Sequence, residues 1–217
     1  MLFRSPRHLD RELGWLIRSS AVPADHPEVL AARTQGAFVC ARGVALAALV
    51  RDARSVAVGG THGKTTTTAM IAQIAQQTDP AAGWAIGGEV RGEDGVASAP
   101  ASGGTLVVEA DESDGTLALY APTVGVVTNI DFDHMEHFAG EPEFFAVFRA
   151  FAGRVRERLI FGADDVRARE IAGVVPGAWG CGLAADAVVR GERVESDPPG
   201  FAFDAWVEGR RMGRVRL

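Results

Sequence analysis

Lysine is almost absent from this sequence. Lys64 is the only one in 217 residues, and every other basic residue is arginine. A site that takes a compact, flexible ammonium where all others take a planar guanidinium is a candidate for chemistry that a fork cannot do. Cysteine is scarce too. Cys40 and Cys181 stand alone, which excludes a disulfide framework and a cysteine-rich zinc site and fits a reducing, cytoplasmic compartment. No apolar run approaches the roughly 18 residues needed to span a bilayer. Residues 1–10 are mixed and charged, without the apolar segment of a signal peptide. Positive charge is not in excess: the formal net charge is −6, so neither a non-specific nucleic-acid binder nor a membrane-surface binder is expected. What the chain does have is 47% apolar residues against 23% charged, enough to bury a sizeable core.

The opening is weakly patterned. Residues 13–20 read as a short strand, 21–25 as a turn, 27–35 as a helix with Pro27 in its first turn and Gly36 at its stop, 37–40 as a strand and 43–51 as a helix. His8 and His26 read as surface residues. The pattern then sharpens. Strands are expected at 55–58, 83–90 (with a turn), 105–108, 124–130 and 159–161. Helices are expected at 65–77, 141–155 and 165–172, and Phe144, Phe145, Phe148 and Phe151 share a face of the second. Strands alternating with helices imply a three-layer α/β fold with an open, mostly parallel sheet. Residues 187–189, 201–207 and 212–217 read instead as antiparallel strands, with Glu208-Gly209 turning a hairpin.

Three segments carry chemistry. Gly60-Thr61-His62-Gly63-Lys64-Thr65-Thr66 lies between a strand and a helix. Backbone N–H groups at such a helix start face a phosphate chain; Lys64 reaches its terminal phosphates and the Thr65 hydroxyl offers a magnesium ligand. The alternative is a plain glycine turn, since Val58 stands where the general phosphate-loop pattern has its first glycine. In the second segment, an apolar strand runs into Glu109, a carboxylate that needs a cation or donors at that position. Asp111, Glu112 and Asp114 follow, and a solvated acidic loop is the competing reading for them. In the third, residues 126–130 empty into Asp131, Asp133 and His134. His134 and His137 beside acidic residues allow a zinc site, although no zinc spacing is complete; capping aspartates at a helix start are the alternative. In an open parallel sheet ligands bind beyond the carboxyl ends of the strands, and all three segments follow such ends.

At these motifs the chain resembles the Mur ligases. Gly-Thr-His-Gly-Lys-Thr-Thr at 60–66 is similar to the family's phosphate loop, which also lacks the first glycine. Glu-Ala-Asp-Glu-Ser-Asp at 109–114 and Thr-Asn-Ile-x-x-Asp-His at 128–134 are similar to two further signatures. His62 and Ser113 point to the branch that adds L-alanine, rather than the one that recycles murein tripeptide. Residues 19–33 resemble the end of the family's N-terminal, UDP-sugar-binding domain. The resemblance implies ATP-dependent ligation through an acyl phosphate, with UDP-N-acetylmuramate and L-alanine as substrates and ATP and Mg2+ as cofactors. It implies that residues 60–66 bind the nucleotide, that Lys64 is catalytic, that Thr65, Glu109 and His134 hold metal, and that Ser20, Ser113 and Asn129 lie near substrate. The expected fold is the family's central domain at 51–217, with a partial Rossmann-like remnant of the N-terminal domain at 1–50.

The resemblance also implies missing parts. No counterpart of the family's glycine-rich UDP turn precedes Ile17, and the family's central domain continues past the position of Leu217 into a C-terminal domain that helps bind the amino acid. An incomplete form that does not finish the reaction alone is the expectation. A tripeptide-recycling ligase and a non-catalytic nucleotide-binding remnant are the competing readings; a GTPase or kinase-like switch lacks its base-recognition motif here.

Overall fold

In the computed structural model, the described residues are 13–19, 21–88, 97–98, 103–132, 138–198 and 200–217. A small sheet of two parallel strands, β1 (Trp15–Arg18) and β2 (Phe38–Ala41), flanks α1 (Pro27–Thr34). Helix α2 (Arg42–Asp52) leads into β3 (Ser55–Gly59), the phosphate-loop candidate and α3 (Lys64–Thr78). Then come β4 (Gly83–Ala85), β5 (Ala97–Ser98), β6 (Leu106–Glu109), a 3-10 turn (Thr116–Leu119), β7 (Val124–Val127), α4 (Glu141–Arg154), β8 (Arg158–Gly162), α5 (Val166–Ala172), β9 (Trp179–Gly182), β10 (Val189–Asp197), β11 (Gly200–Val207) and β12 (Arg210–Arg216).

The large sheet has ten strands in the order β12-β11-β10-β9-β8-β7-β3-β6-β4-β5. From β4 through β10 every pairing is parallel, and the ends close with antiparallel β5 on one side and β11 and β12 on the other. This is the expected three-layer α/β architecture with its antiparallel tail. Its central strands β3, β6 and β7 are apolar on both faces because both faces are covered. On β6, Leu106 and Val108 point into one core with α2, α4, α5 and the 3-10 turn, while Val107 points into the other with α3. Helix α2 is part of the first core through Ala47 and Val50.

The phenylalanine stripe divides. Phe144, Phe148 and Phe151 are buried, and each contributes about 1.5–3 kcal/mol of burial. Phe145 stays half-exposed, its ring under the guanidinium groups of Arg149 and Arg167 at 6.0 and 5.4 Å. His26 is not a free surface residue; its Nδ1 caps α1 by accepting from the Glu28 N–H at 3.3 Å. Three strands escaped the pattern: β5, only two residues long, β9, and most of β10, which runs on to Asp197. In β9 a single Trp179 stands among Gly and Cys, and β10 is mostly charged or polar, so periodicity had little to act on. Glu208 and Gly209 do turn the last hairpin, with φ of 50° and 75°, both positive as a type I′ turn requires.

Candidate functional site

The loop after β3 is shaped by two glycines. Gly60 has φ 131°, and a Cβ there would collide with Thr128 Oγ1. Gly63 has φ 79° and caps α3 in the left-handed region. Helix α3 therefore starts abruptly at Lys64, with a first turn free of acidic side chains. Thr68 fits mid-helix because its hydroxyl bonds back to Lys64 O at 2.7 Å.

The exit of β7 staples this loop in place. Asn129 binds the His62 backbone twice: Oδ1 accepts from His62 N and Nδ2 donates to His62 O, both at 2.9 Å. Thr128 Oγ1 also donates to His62 O at 2.7 Å, and Thr61 N donates to Asn129 O at 3.0 Å. Asp131 N donates to Thr61 Oγ1 at 2.8 Å. Two consequences follow. The N–H groups of Thr61 and His62 are engaged inside the protein, so the cradle facing solvent is the start of α3, at Gly63, Lys64, Thr65 and Thr66, where helix geometry leaves N–H groups without partners. And the Asn129 side chain, expected near substrate, is a clamp on the loop. Among the described residues Asp131 caps no helix: α4 begins after Gly140 without a side-chain cap, and it is Asp165 that caps α5.

Beside the cradle, Thr65 Oγ1 donates to Glu109 Oε1 at 3.1 Å, and Glu109 Oε2 accepts from Gly87 N at 2.7 Å. The strand-end carboxylate thus has donors, as burial demands. A magnesium ion at a phosphate chain takes one or two protein oxygens and completes its octahedron with phosphate and water; the Thr65 hydroxyl and Glu109 carboxylate are such a pair. Among the described residues no group of three or more His, Cys, Asp and Glu is placed to hold a metal. His134, His137, Asp133 and Ser20 lie outside the described residues, so the zinc alternative and two of the expected contacts are not placed.

The acidic segment corrects the solvated-loop reading at one position. Glu112 is buried, and its carboxylate meets Lys64 Nζ at 2.8 and 3.0 Å. Burial pushes the Glu112 carboxyl up from its ordinary value, against the hydrogen bond and charge of Lys64, which pull it down. Asp111 and Asp114 make local turns instead, accepting from Ser113 N and Thr116 N, each at 3.0 Å. Sequence reasoning missed Glu112 as the partner of Lys64. The one available signal was a lone lysine in a fold whose next strand-end loop is rich in carboxylates. His62 lies between two clefts: one of about 430 Å³ toward Asp131, Asp164 and Arg167, the other of about 350 Å³ toward Lys64, Glu112 and Ser113.

Comparison with known proteins bears on the family and the fold. Residues 58–215 match the family described as the Mur ligase middle domain. UDP-N-acetylmuramate--L-alanine ligase of Kineococcus radiotolerans is 42% identical, covering 98% of this chain and 46% of that protein. The crystal structure of UDP-N-acetylmuramate-alanine ligase from Thermotoga maritima superposes with a TM-score of 0.83 over 100% of this chain and 49% of that one, at 22% identity. MurF ligase from Thermotoga maritima, solved in complex with ADP, gives a TM-score of 0.63 over 94% of this chain and 55% of that one, at 16% identity. The chain spans less than half the length of the curated relatives it matches.

Proposed function

Because this chain belongs to the Mur ligase family through its middle domain, we propose that it serves an ATP-dependent ligase that joins L-alanine to UDP-N-acetylmuramate in cytoplasmic synthesis of peptidoglycan precursors. The observation that carries this reading is the convergence of Lys64, Thr65 and Glu109 at the start of α3. The lactyl carboxylate attacks the γ-phosphorus of ATP, ADP leaves, and the resulting acyl phosphate is attacked by the alanine amine with release of phosphate. Both steps crowd negative charge. The N–H groups at 63–66 and the Lys64 ammonium stabilise it on the transferring phosphoryl group. Thr65 and Glu109 would hold a magnesium ion, which when bound neutralises repulsion between carboxylate and triphosphate. His134 is proposed as a further metal ligand from its motif, and Ser20 and Ser113 as residues near substrate.

In the domain division we propose, residues 1–50 belong to the N-terminal sugar-nucleotide domain and 51–217 to the central domain. It is supported by the separate two-stranded sheet, whose Trp15, Ile17 and Phe38 are exposed, as parallel strands in a complete sheet rarely are. Among the described residues no helix is long and apolar enough to cross a membrane.

A direct test uses the protein at the length of its relatives. Incubation with ATP, magnesium, UDP-N-acetylmuramate and L-alanine should give UDP-N-acetylmuramoyl-L-alanine by mass spectrometry. Faster product formation with the murein tripeptide would move the assignment to the recycling branch.

A further inference from the structure

We infer that Glu112 is a displaceable counterion: it positions the Lys64 ammonium while the phosphate loop is empty and gives it up to the phosphate chain. This rests on the nucleotide reading above.

An ammonium has three protons. In this structure Lys64 Nζ donates to Gly60 O at 2.6 Å, Thr61 O at 3.1 Å and Glu112 Oε1 at 3.0 Å. All three donors are in use, so a phosphate oxygen that binds Lys64 must replace one acceptor. The two carbonyls belong to a backbone that the β7 exit holds. Gly60 packs against Thr128, and Thr61 is tied on both sides, its N–H to Asn129 O and its hydroxyl to Asp131 O. The carboxylate is different. Its Oε1 and Oε2 lie 3.0 and 2.8 Å from the one ammonium, a point-charge contact with no second donor group to fix its orientation. It also carries the same sign of charge as the incoming phosphate, so repulsion acts on this acceptor and not on the carbonyls. The adjoining cleft of about 350 Å³, bordered by Thr61, His62 and Ser113, leaves the carboxylate room to turn away.

Burial explains why a counterion is needed at all. The side chains of Lys64 and Glu112 are 15% and 9% exposed, too little for water to neutralise the ammonium in the empty site. Residue type explains why it can leave. Arginine would pair with a carboxylate through two parallel bonds, as Arg169 does with Asp186 at 2.7 and 2.8 Å in this chain. Such a pair is stronger and geometrically fixed. A lysine bound through a point charge exchanges its partner more readily, and this is the one place where the chain uses lysine.

The test compares this chain with Glu112→Gln, Lys64→Ala and the double variant, measuring MgATP affinity by calorimetry and melting of the empty chain. Glu112→Gln should lower the melting temperature of the empty chain yet bind MgATP roughly three- to tenfold more tightly, the scale of one partly screened charge interaction. On the Lys64→Ala background the same substitution should gain markedly less, since only direct repulsion of the phosphate is then relieved. Weaker MgATP binding by Glu112→Gln than by the unaltered chain would overturn the proposal, as would an unchanged affinity. If the unaltered chain bound no MgATP, the nucleotide reading itself would fall and the counterion role with it. Should Glu112→Gln fail to fold, the unaltered chain still answers. With one lysine, 13C-lysine labelling gives a single ε-methylene signal, which should move on MgATP addition to the position it takes at a phosphate contact. An unmoved signal in a chain that binds MgATP would contradict the exchange.

Discussion

Glu112 and Asp204 are the two buried carboxylates among the described residues, and they keep different company. Glu112 faces one lysine at the mouth of the phosphate loop. Asp204, inward-facing on β11, is surrounded by three arginines: Arg193, which ion-pairs with Oδ2, and Arg211 and Arg214 at 3.3 and 3.7 Å from Oδ1. Those arginines come from the neighbouring strands β10 and β12, and Arg214 is also paired with Glu195 at 2.6 Å. One arrangement is a single ion pair beside a cleft; the other is a redundant cluster that ties three strands together. The difference teaches where this fold puts chemistry and where it puts scaffolding. At the carboxyl ends of the parallel strands the charge is held by a single pair beside a cleft, the pair we propose a ligand takes apart. In the antiparallel tail, charge is held permanently.

The largest expected effect breaks the first arrangement. Lys64→Ala should reduce ATP turnover by about 100-fold or more in a full-length form, the scale of losing one donor to a developing anion. Lys64→Arg sharpens the comparison, because it keeps the charge but offers Glu112 a bidentate partner; turnover should fall nearly as far. Steady-state kinetics decide both, and an active Lys64→Arg enzyme would contradict the exchange argument. The second arrangement is broken by Asp204→Ala. Removing one partner of a buried pair costs about 3–5 kcal/mol. Because the three arginines are 30–66% exposed and can rehydrate, a loss of about 2 kcal/mol is expected after discounting for screening. Urea denaturation should show the shift, with MgATP affinity unchanged.

Asn129→Ala tests whether the β7 exit serves the loop or the substrate. Loss of the two bonds to His62 should loosen the loop and weaken MgATP binding about tenfold, roughly 1.4 kcal/mol. A variant with normal MgATP affinity and a raised KM for UDP-N-acetylmuramate would restore the substrate role suggested by its motif. The smallest effect concerns Asp79 at the end of α3. Hydrogen bonding from Thr105, first its N–H and then its side chain, with a smaller contribution from the Ala81 N–H, holds its carboxyl below the usual carboxylate range. A depressed folded value contributes stability that is complete above the unfolded value and is lost as pH falls through the folded one. Asp79→Asn should therefore flatten the acid limb of a melting-temperature profile while leaving its neutral plateau nearly parallel to that of the unaltered chain.

Much of the architecture could be read before any coordinates. Apolar strands alternating with helices gave the parallel sheet, and strand-end polar motifs gave Lys64, Thr65 and Glu109 together at one edge. What stayed hidden has physical reasons. Strand β9 is short and mixed, and β10 is mostly polar and only half-buried at best, so neither shows the period-two signal. Glu112 and Asp204 are charged residues inside, which a hydropathy pattern assigns to the surface; only the partners brought by distant segments make their burial tolerable. The bonds from Asn129 to the His62 backbone were hidden for a related reason. A side chain that mimics backbone pairing looks in sequence like any polar residue near a site.

The central claim is that the start of α3 is the phosphate cradle and that the β7 exit holds the preceding loop. Backbone amide signals of the chain titrated with MgATP test it most directly. The largest shifts should fall on Gly63, Lys64, Thr65 and Thr66, whereas Thr61 and His62, whose N–H groups are already bonded to Asn129, should shift less and stay protected from hydrogen exchange. Shifts centred on β10–β12, or largest at Thr61 and His62 with loss of their protection, would contradict the account.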